Sequence, residues 1–175
     1  MFSRNLVALA NDLEKNKLIE ELGVYFENNK ILSPLAARIF AMLILTDEEG
    51  ISFDSFVEGL EASKSSISTN LQLLQAAGRI VYFTKPGERK RYFKIAPNDL
   101  TEQLDKKIAQ WEMEKEMHLK VYRFKKNMFK DGVPSLDQMP GLQYIQTYTK
   151  LADYFIDNLK QLKEKLENTP NTNSK

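Results

Sequence analysis

The sequence contains no cysteine, a single histidine (His118) and a single tryptophan (Trp111). Without cysteine there is no disulfide framework, no thiolate metal site, no thiol nucleophile and no thiol redox sensor. One histidine rules out most histidine-based metal and triad chemistry, and His118 sits in an apolar helical pattern that suits no serine–histidine–aspartate set. No apolar run approaches the ~18 residues of a membrane span. The first residues (Met1-Phe2-Ser3-Arg4-Asn5) lack a signal peptide's apolar stretch. These absences predict a soluble, cytoplasmic chain with no metal, no cofactor, no membrane partner and no enzymatic activity. At 175 residues and 42% hydrophobic, the chain is long enough to bury roughly 70% of its unfolded surface in one fold or two small ones.

Acidic residues are missing from one stretch in particular. Residues 63–87 hold none, and residues 63–94 carry seven basic side chains (Lys64, Arg79, Lys85, Arg89, Lys90, Arg91 and Lys94) against Glu88 alone, net +6. Residues 31–62 carry Arg38 against six acidic groups, net −5. The whole-chain charge of +1 is therefore an average over an acidic segment and a basic one. A neutral protein of this kind can still present one concentrated basic face to a polyanion, although a solvated face balanced by its neighbours has the same composition.

Periodicity predicts mostly helix. Residues 4–28 place Leu6, Leu9 and Leu13 on one stripe, and Leu18, Leu22, Tyr25 and Phe26 on a rotated one. Gly23 weakens the middle by about 1 kcal/mol relative to alanine. Ser33-Pro34 opens a second helix, as N-cap and first-turn proline, which runs to Ile44. A short third helix starts at Ser52 or Asp54 and buries Phe53, Phe56, Val57 and Leu60. Ser63 caps a fourth over about 64–77, with Ile67, Leu71 and Leu74 inward and Gly78 beyond its end. Strand patterns follow at 79–84 and 89–95, joined by Lys85-Pro86-Gly87-Glu88, a turn signal. Asn98 or Asp99 caps a long fifth helix to about residue 130.

This fifth helix is apolar on two sides. Leu104, Ile108, Trp111, Tyr122 and Phe129 share one side, and Met113, Met117, Val121, Phe124 and Met128 the other. Such a helix needs two partners, for example its own domain and another subunit. Asp131-Gly132-Val133-Pro134 and Met139-Pro140-Gly141 bracket a loop. The last helix carries Tyr144, Tyr148, Leu151, Phe155, Leu159, Leu162 and Leu166, an 11-residue pattern that favours a nearly straight stripe.

Helix, short helix, turn, polar-surfaced helix and basic hairpin, in that order, predict a mainly α chain built on a winged helix-turn-helix with a two-stranded β-hairpin wing. The fourth helix turns Lys64, Ser65, Ser66, Ser68, Thr69, Gln72 and Gln75 outward. Short hydroxyl and amide side chains suit close docking in a DNA major groove. The expected site is Lys64, Ser65, Ser66, Ser68, Thr69, Asn70 and Gln72 against bases, with Lys85, Arg89, Lys90 and Arg91 neutralising phosphates. The partner is double-stranded DNA.

Residues 21–95 resemble the DNA-binding part of the GbsR/MarR-type transcriptional regulators. The resemblance is carried by Glu21-Leu22-Gly23-Val24-Tyr25-Phe26-Glu27, Leu32-Ser33-Pro34-Leu35-Ala36-Ala37-Arg38-Ile39, Ser63-Lys64-Ser65-Ser66-Ile67-Ser68-Thr69-Asn70-Leu71 and Lys85-Pro86-Gly87-Glu88-Arg89-Lys90-Arg91-Tyr92. It implies a homodimeric bacterial repressor or activator on a roughly palindromic site, with the fourth helix in the major groove and the wing along the minor groove or backbone. It also implies a dimer interface built from the N- and C-terminal helices. The expected organisation is a supporting N-terminal helix (1–30), the winged helix-turn-helix (31–96), a helical dimerisation region (97–168) and a disordered tail (169–175). A small-molecule effector of unassigned identity fits this scheme.

Other constellations carry less. His118 and Glu114, at i and i−4, are a lone pair without further ligands. Arg38 could meet a phosphate or pair with Asp47, Glu48 or Glu49. Trp111, Tyr122, Tyr144 and Tyr148 could cage a cation, but their stripe positions already explain them as core or interface. Lys85-Pro86-Gly87-Glu88 lacks the pattern of a phosphate-binding loop. Two rival functions remain: a winged-helix module that docks an acidic protein, and a small-molecule-binding helical protein without DNA binding.

Overall fold

The computed structural model describes residues 2–46, 49–128 and 139–169, with side chains from residue 11 onward. Asp47, Glu48, Phe129, the loop at 131–134, the tail from 170 and the side chains of Leu6 and Leu9 lie outside the described residues. The elements are α1 (Phe2–Asn28), α2 (Pro34–Ile44), β1 (Ile51–Ser52), α3 (Phe53–Gly59), α4 (Lys64–Ala76), β2 (Ile80–Thr84), β3 (Arg91–Ile95), α5 (Asp99–Asn127) and α6 (Pro140–Asn168). They group into two units, Met1–Asp99 and Leu100–Lys175. No helix among the described residues is long and apolar enough to cross a membrane.

The first unit is organised by local signals. Pro34 occupies the first turn of α2. The Ser52 and Ser63 side chains accept the backbone N–H of Ser55 and Ser66, capping α3 and α4. At the far end of α4, Gly78 takes φ +71°. Its N–H donates to Gln75 O (2.9 Å) while Arg79 N–H donates to Leu74 O (2.9 Å). These two bonds satisfy carbonyls the helix leaves open and turn the chain straight into β2. Ala36, Ile39, Phe40 and Leu43 of α2 meet Phe56, Ile67, Leu71, Leu74, Ile80 and Phe93 in one buried core.

The expected two-stranded wing is a three-stranded antiparallel sheet in the order β1-β3-β2. β3 pairs with β2 (Tyr82 opposite Phe93, Thr84 opposite Arg91) and with β1 (Ile51 opposite Phe93). Two residues of β1 are too short to show any alternation, so only the pairing reveals them. β3 also begins at Arg91 rather than Arg89, which places Arg89 and Lys90 in the connection. There Pro86 and Gly87 (φ +80°) hold the central positions of a turn closed by Glu88 N–H to Lys85 O (3.0 Å), the arrangement of a type II turn.

In the second unit α5 and α6 run antiparallel. The ion pairs Lys163–Asp105 (2.7 Å), Lys160–Glu112 (2.9 Å) and Lys115–Asp153 flank the contact. The covered residues of α6 are Leu142, Ile145, Thr149, Ala152 and Ile156, spaced 3-4-3-4. On α5, Leu104, Ile108, Trp111, Lys115, His118 and Tyr122 are covered or half covered with the same alternation. This heptad seam favours left-handed packing, whereas the 11-residue stripe is largely uncovered: Tyr144, Leu151, Phe155, Leu162 and Leu166 are exposed. The second apolar side of α5 is exposed as expected, with Met113, Met117, Val121, Phe124 and Met128 each 43–68% accessible.

Candidate nucleic-acid interface

Helix α4 lies against α2 and α3 through Ile67, Leu71 and Leu74, each at most 2% exposed. At 100° per residue the opposite side is centred on Ser65, Thr69, Gln72 and Ala76. All four are exposed, as are Lys64 and Ser66, and Ser68 and Asn70 are half covered. The sequence-predicted α4 residues thus form one continuous surface rather than a scatter.

Many of their polar atoms are already engaged. The Ser63 hydroxyl lies 3.0 Å from that of Ser65 and 2.8 Å from that of Ser66. Thr69 Oγ1 donates to Ser65 O (3.0 Å) and Asn70 Nδ2 to Ser66 O (2.9 Å). Asn70 Oδ1 in turn accepts from the Ser33 hydroxyl at the head of α2 (3.0 Å). Asn70 is therefore a tie between α4 and α2, holding the helix at its angle. Ser33 gives its hydroxyl to this tie and caps no N–H of its own helix.

The wing cations differ in their surroundings. Lys85 Nζ sits 4.3 Å from the centre of the Tyr92 ring and 3.8 Å from Glu49. Lys90 Nζ lies 3.9 Å from Asp54. Arg91 opens β3 opposite Thr84, at the turn end of the β2–β3 ladder; its guanidinium lies over Phe53 (5.7 Å), and it lines a shallow pit with Ser68, Gln72 and Gln75 of α4. Among the described residues neither Lys64 nor Arg89 has an ion-pair partner. Tyr92 donates to the Glu88 carboxylate, and this bond raises its phenol pKa above the usual value. The arrangement combines a hydroxyl- and amide-bearing helix, uncharged after Lys64, with wing cations, which is the chemistry of a surface that can meet base edges in the middle and phosphates at the side.

Other sequence candidates resolve differently. Arg38 packs on the first unit's own helices. It reaches back to α1, to Glu20 (2.8 Å) and Glu27 (3.7 Å), and donates to Pro34 O (3.0 Å). The bond to Glu20 holds its guanidinium pKa above the ordinary value. His118 Nδ1 lies 2.9 Å from Glu114 O and the ring stacks on Tyr148 at 4.2 Å. No group of three metal-ligating side chains occurs among the described residues. Trp111 stacks on Tyr148 and Phe155, and Tyr122 accepts a hydrogen bond from Gln146 (2.8 Å). These aromatics pack the seam. Of the four cage candidates only Tyr144 borders the open hollow of about 370 Å³ beside Met117, Val121 and Lys125. The residues that sequence reasoning missed are Leu73 and Asp54. Leu73 is 58% exposed on α4, and its outward position follows from its spacing to Thr69.

No family model matches the chain. Over 82 residues it is 35% identical to the HTH-type transcriptional regulator MmpR5 of Mycobacterium tuberculosis, a stretch covering 47% of this chain and 49% of that protein. The match thus spans about half the length of this relative. A solved structure described as a transcriptional regulator superposes with a TM-score of 0.51, covering 88% of this chain and 98% of its own at 22% identity. The chain has that fold: mainly helical with a small three-stranded antiparallel sheet.

Proposed function

We propose that the chain is a sequence-specific DNA-binding transcriptional regulator. It acts as a homodimer on a roughly palindromic duplex site. The observation that carries this reading is the outward face of α4, which is uncharged after Lys64 and is flanked by Lys85, Arg89, Lys90 and Arg91. The half-length likeness to a helix-turn-helix regulator supports it. Lys64, Ser65, Ser66, Ser68, Thr69 and Gln72 read or position against bases, while the wing cations neutralise phosphates. In this reading α1, α5 and α6 supply the dimer contacts, and the exposed Met113–Met128 side of α5 is the surface that favours them. Two α4 helices related by a two-fold then fall about 34 Å apart, one turn of DNA. The more distant GbsR/MarR affiliation fits the same order of elements.

The test is a gel shift of the full chain on DNA from upstream of its own gene. A retarded band is expected, with log K falling against log salt at a slope near −7 if about four phosphates per subunit are neutralised. No shift, or an affinity indifferent to salt, overturns the reading. A thermal shift with a small ligand and no DNA binding would favour a ligand-binding helical protein instead.

A further inference from the structure

We propose that Leu73 selects thymine in the DNA site, through apolar contact with the 5-methyl group of that base. This rests on the reading of α4 as the helix that enters the major groove.

Two observations point to it. The first is position. Leu73 follows Ser66 by seven residues and Thr69 by four, so it shares their stripe on α4. It is 58% exposed, and Ala76 and Ala77 beyond it are exposed too. A single exposed leucine is ordinary on a soluble protein. This one belongs to an apolar half-face on a helix whose sole charge is Lys64 at its first residue. No charged side chain from Ser65 to Gly78 keeps that face in water.

The second is the state of the polar groups beside it. Thr69 has its hydroxyl proton on Ser65 O, and Asn70 has its amide on Ser66 O and Ser33. Ser65 and Ser66 both gather on Ser63. The Thr69 proton is thus committed within the protein, and the Ser65 and Ser66 hydroxyls share contacts with Ser63. What the stripe offers outward around Leu73 is hydrocarbon. Among the groups displayed in the major groove, the thymine methyl is the apolar one. Leu73 therefore adds apolar discrimination at a point of the helix where no hydroxyl stands.

The experiment begins with selection of bound duplexes from a random library by the full chain. Each thymine of the enriched motif is then replaced by deoxyuridine, which removes the methyl group alone. One replacement is expected to weaken wild-type binding by about fourfold, the worth of one buried methyl. Leu73→Ala should bind the thymine and deoxyuridine sites equally, and Leu73→Met should keep the preference. If wild type and Leu73→Ala respond identically to every replacement, or if no thymine methyl matters to wild type, the inference is wrong while the DNA-binding reading stands. If no motif is enriched, that reading falls and the inference with it.

Discussion

Arg79 and Asp99 form a buried ion pair that joins the first residue before β2 to the first residue of α5. Their side chains are 9% and 4% exposed. Arg79 also lies over the Phe40 ring at 4.2 Å, and Arg79 O accepts from Ala96 N (2.9 Å). A charge buried with its partner is tolerated, but one left behind is not. Asp99→Ala should therefore destabilise the first unit by about 3–5 kcal/mol, read as a lowered urea midpoint by circular dichroism. Arg79→Met combined with Asp99→Leu should recover most of that loss. A double variant that loses the sum of the Arg79→Met and Asp99→Leu single losses would show that the pair is not coupled.

Two carboxylates outside the hairpin hold its lysines. Glu49 and Asp54 stand 3.8 and 3.9 Å from Lys85 and Lys90. Exposed pairs at such distances add little to stability, so Glu49→Gln with Asp54→Asn should leave the unfolding midpoint almost unchanged. In the proposed DNA-binding reading, however, both carboxylates must yield their lysines to phosphate. The double variant should bind duplex DNA about three- to tenfold more tightly at low ionic strength, with the gain shrinking as salt rises. A titration by fluorescence anisotropy measures it, and an unchanged affinity would remove these carboxylates from the account.

Glu61, between α3 and α4, has φ +48°, a left-handed conformation that costs a side-chain-bearing residue roughly 1–2 kcal/mol. Glu61→Gly should raise the unfolding midpoint by about 0.5–1 kcal/mol, part of the relief being offset by the freer unfolded chain. A lowered midpoint would show that the carboxylate contributes more than the strain removes.

The exposed side of α5 makes an assembly prediction. Met113→Glu with Phe124→Glu places two charges on residues 68% and 67% accessible. Sedimentation should return a dimer for the parent and a monomer for the variant, with helicity retained. A parent that sediments as a monomer contradicts the homodimer.

Tyr148 adds an alkaline limit. Desolvation, with smaller contributions from Glu114 and Tyr144, pushes its phenol up to about 12. The folded chain then holds this proton more tightly than the unfolded chain does. The associated stability is fully present below about 10, the ordinary tyrosine value, and is lost as pH rises through about 12. Tyr148→Phe should flatten the decline of melting temperature over that window. An equally steep decline in the variant would assign it to other groups.

Much of the first unit was legible because its signals are local. Ser63 and Gly78 bracket α4 in the sequence and cap it in the structure, and Pro86-Gly87 announces the turn. What sequence reasoning missed depends on partners far along the chain. Nothing local tells Ser33 to hold Asn70 rather than cap α2. Gly23 reads as a weak point in α1, yet a Cβ there would come within 2.9 Å of Arg38 Cγ, so its smallness admits the arginine that reaches Glu20. In α6 the covered seam includes Ala152 and Thr149, which are quieter to a hydrophobicity pattern than the exposed Tyr144, Leu151 and Leu162. The candidate interface was read as a set of residue types on one face. The commitment of its hydroxyls, and hence the prominence of Leu73, required the hydrogen bonds.

Helix α6 keeps two different rhythms, a seven-residue one where it meets α5 and an eleven-residue one where it does not. They cannot stay in step. Between Tyr144 and Leu166 the outer stripe advances around the helix by about 100° relative to the seam. On α6 itself the outer stripe stays nearly straight while the seam winds away beneath it. A second helix laid nearly parallel to α6 could follow that stripe along its length, but not while also following the curl of α6 around α5. The handedness of any assembly built on this surface is thus written in the mismatch between the two repeats.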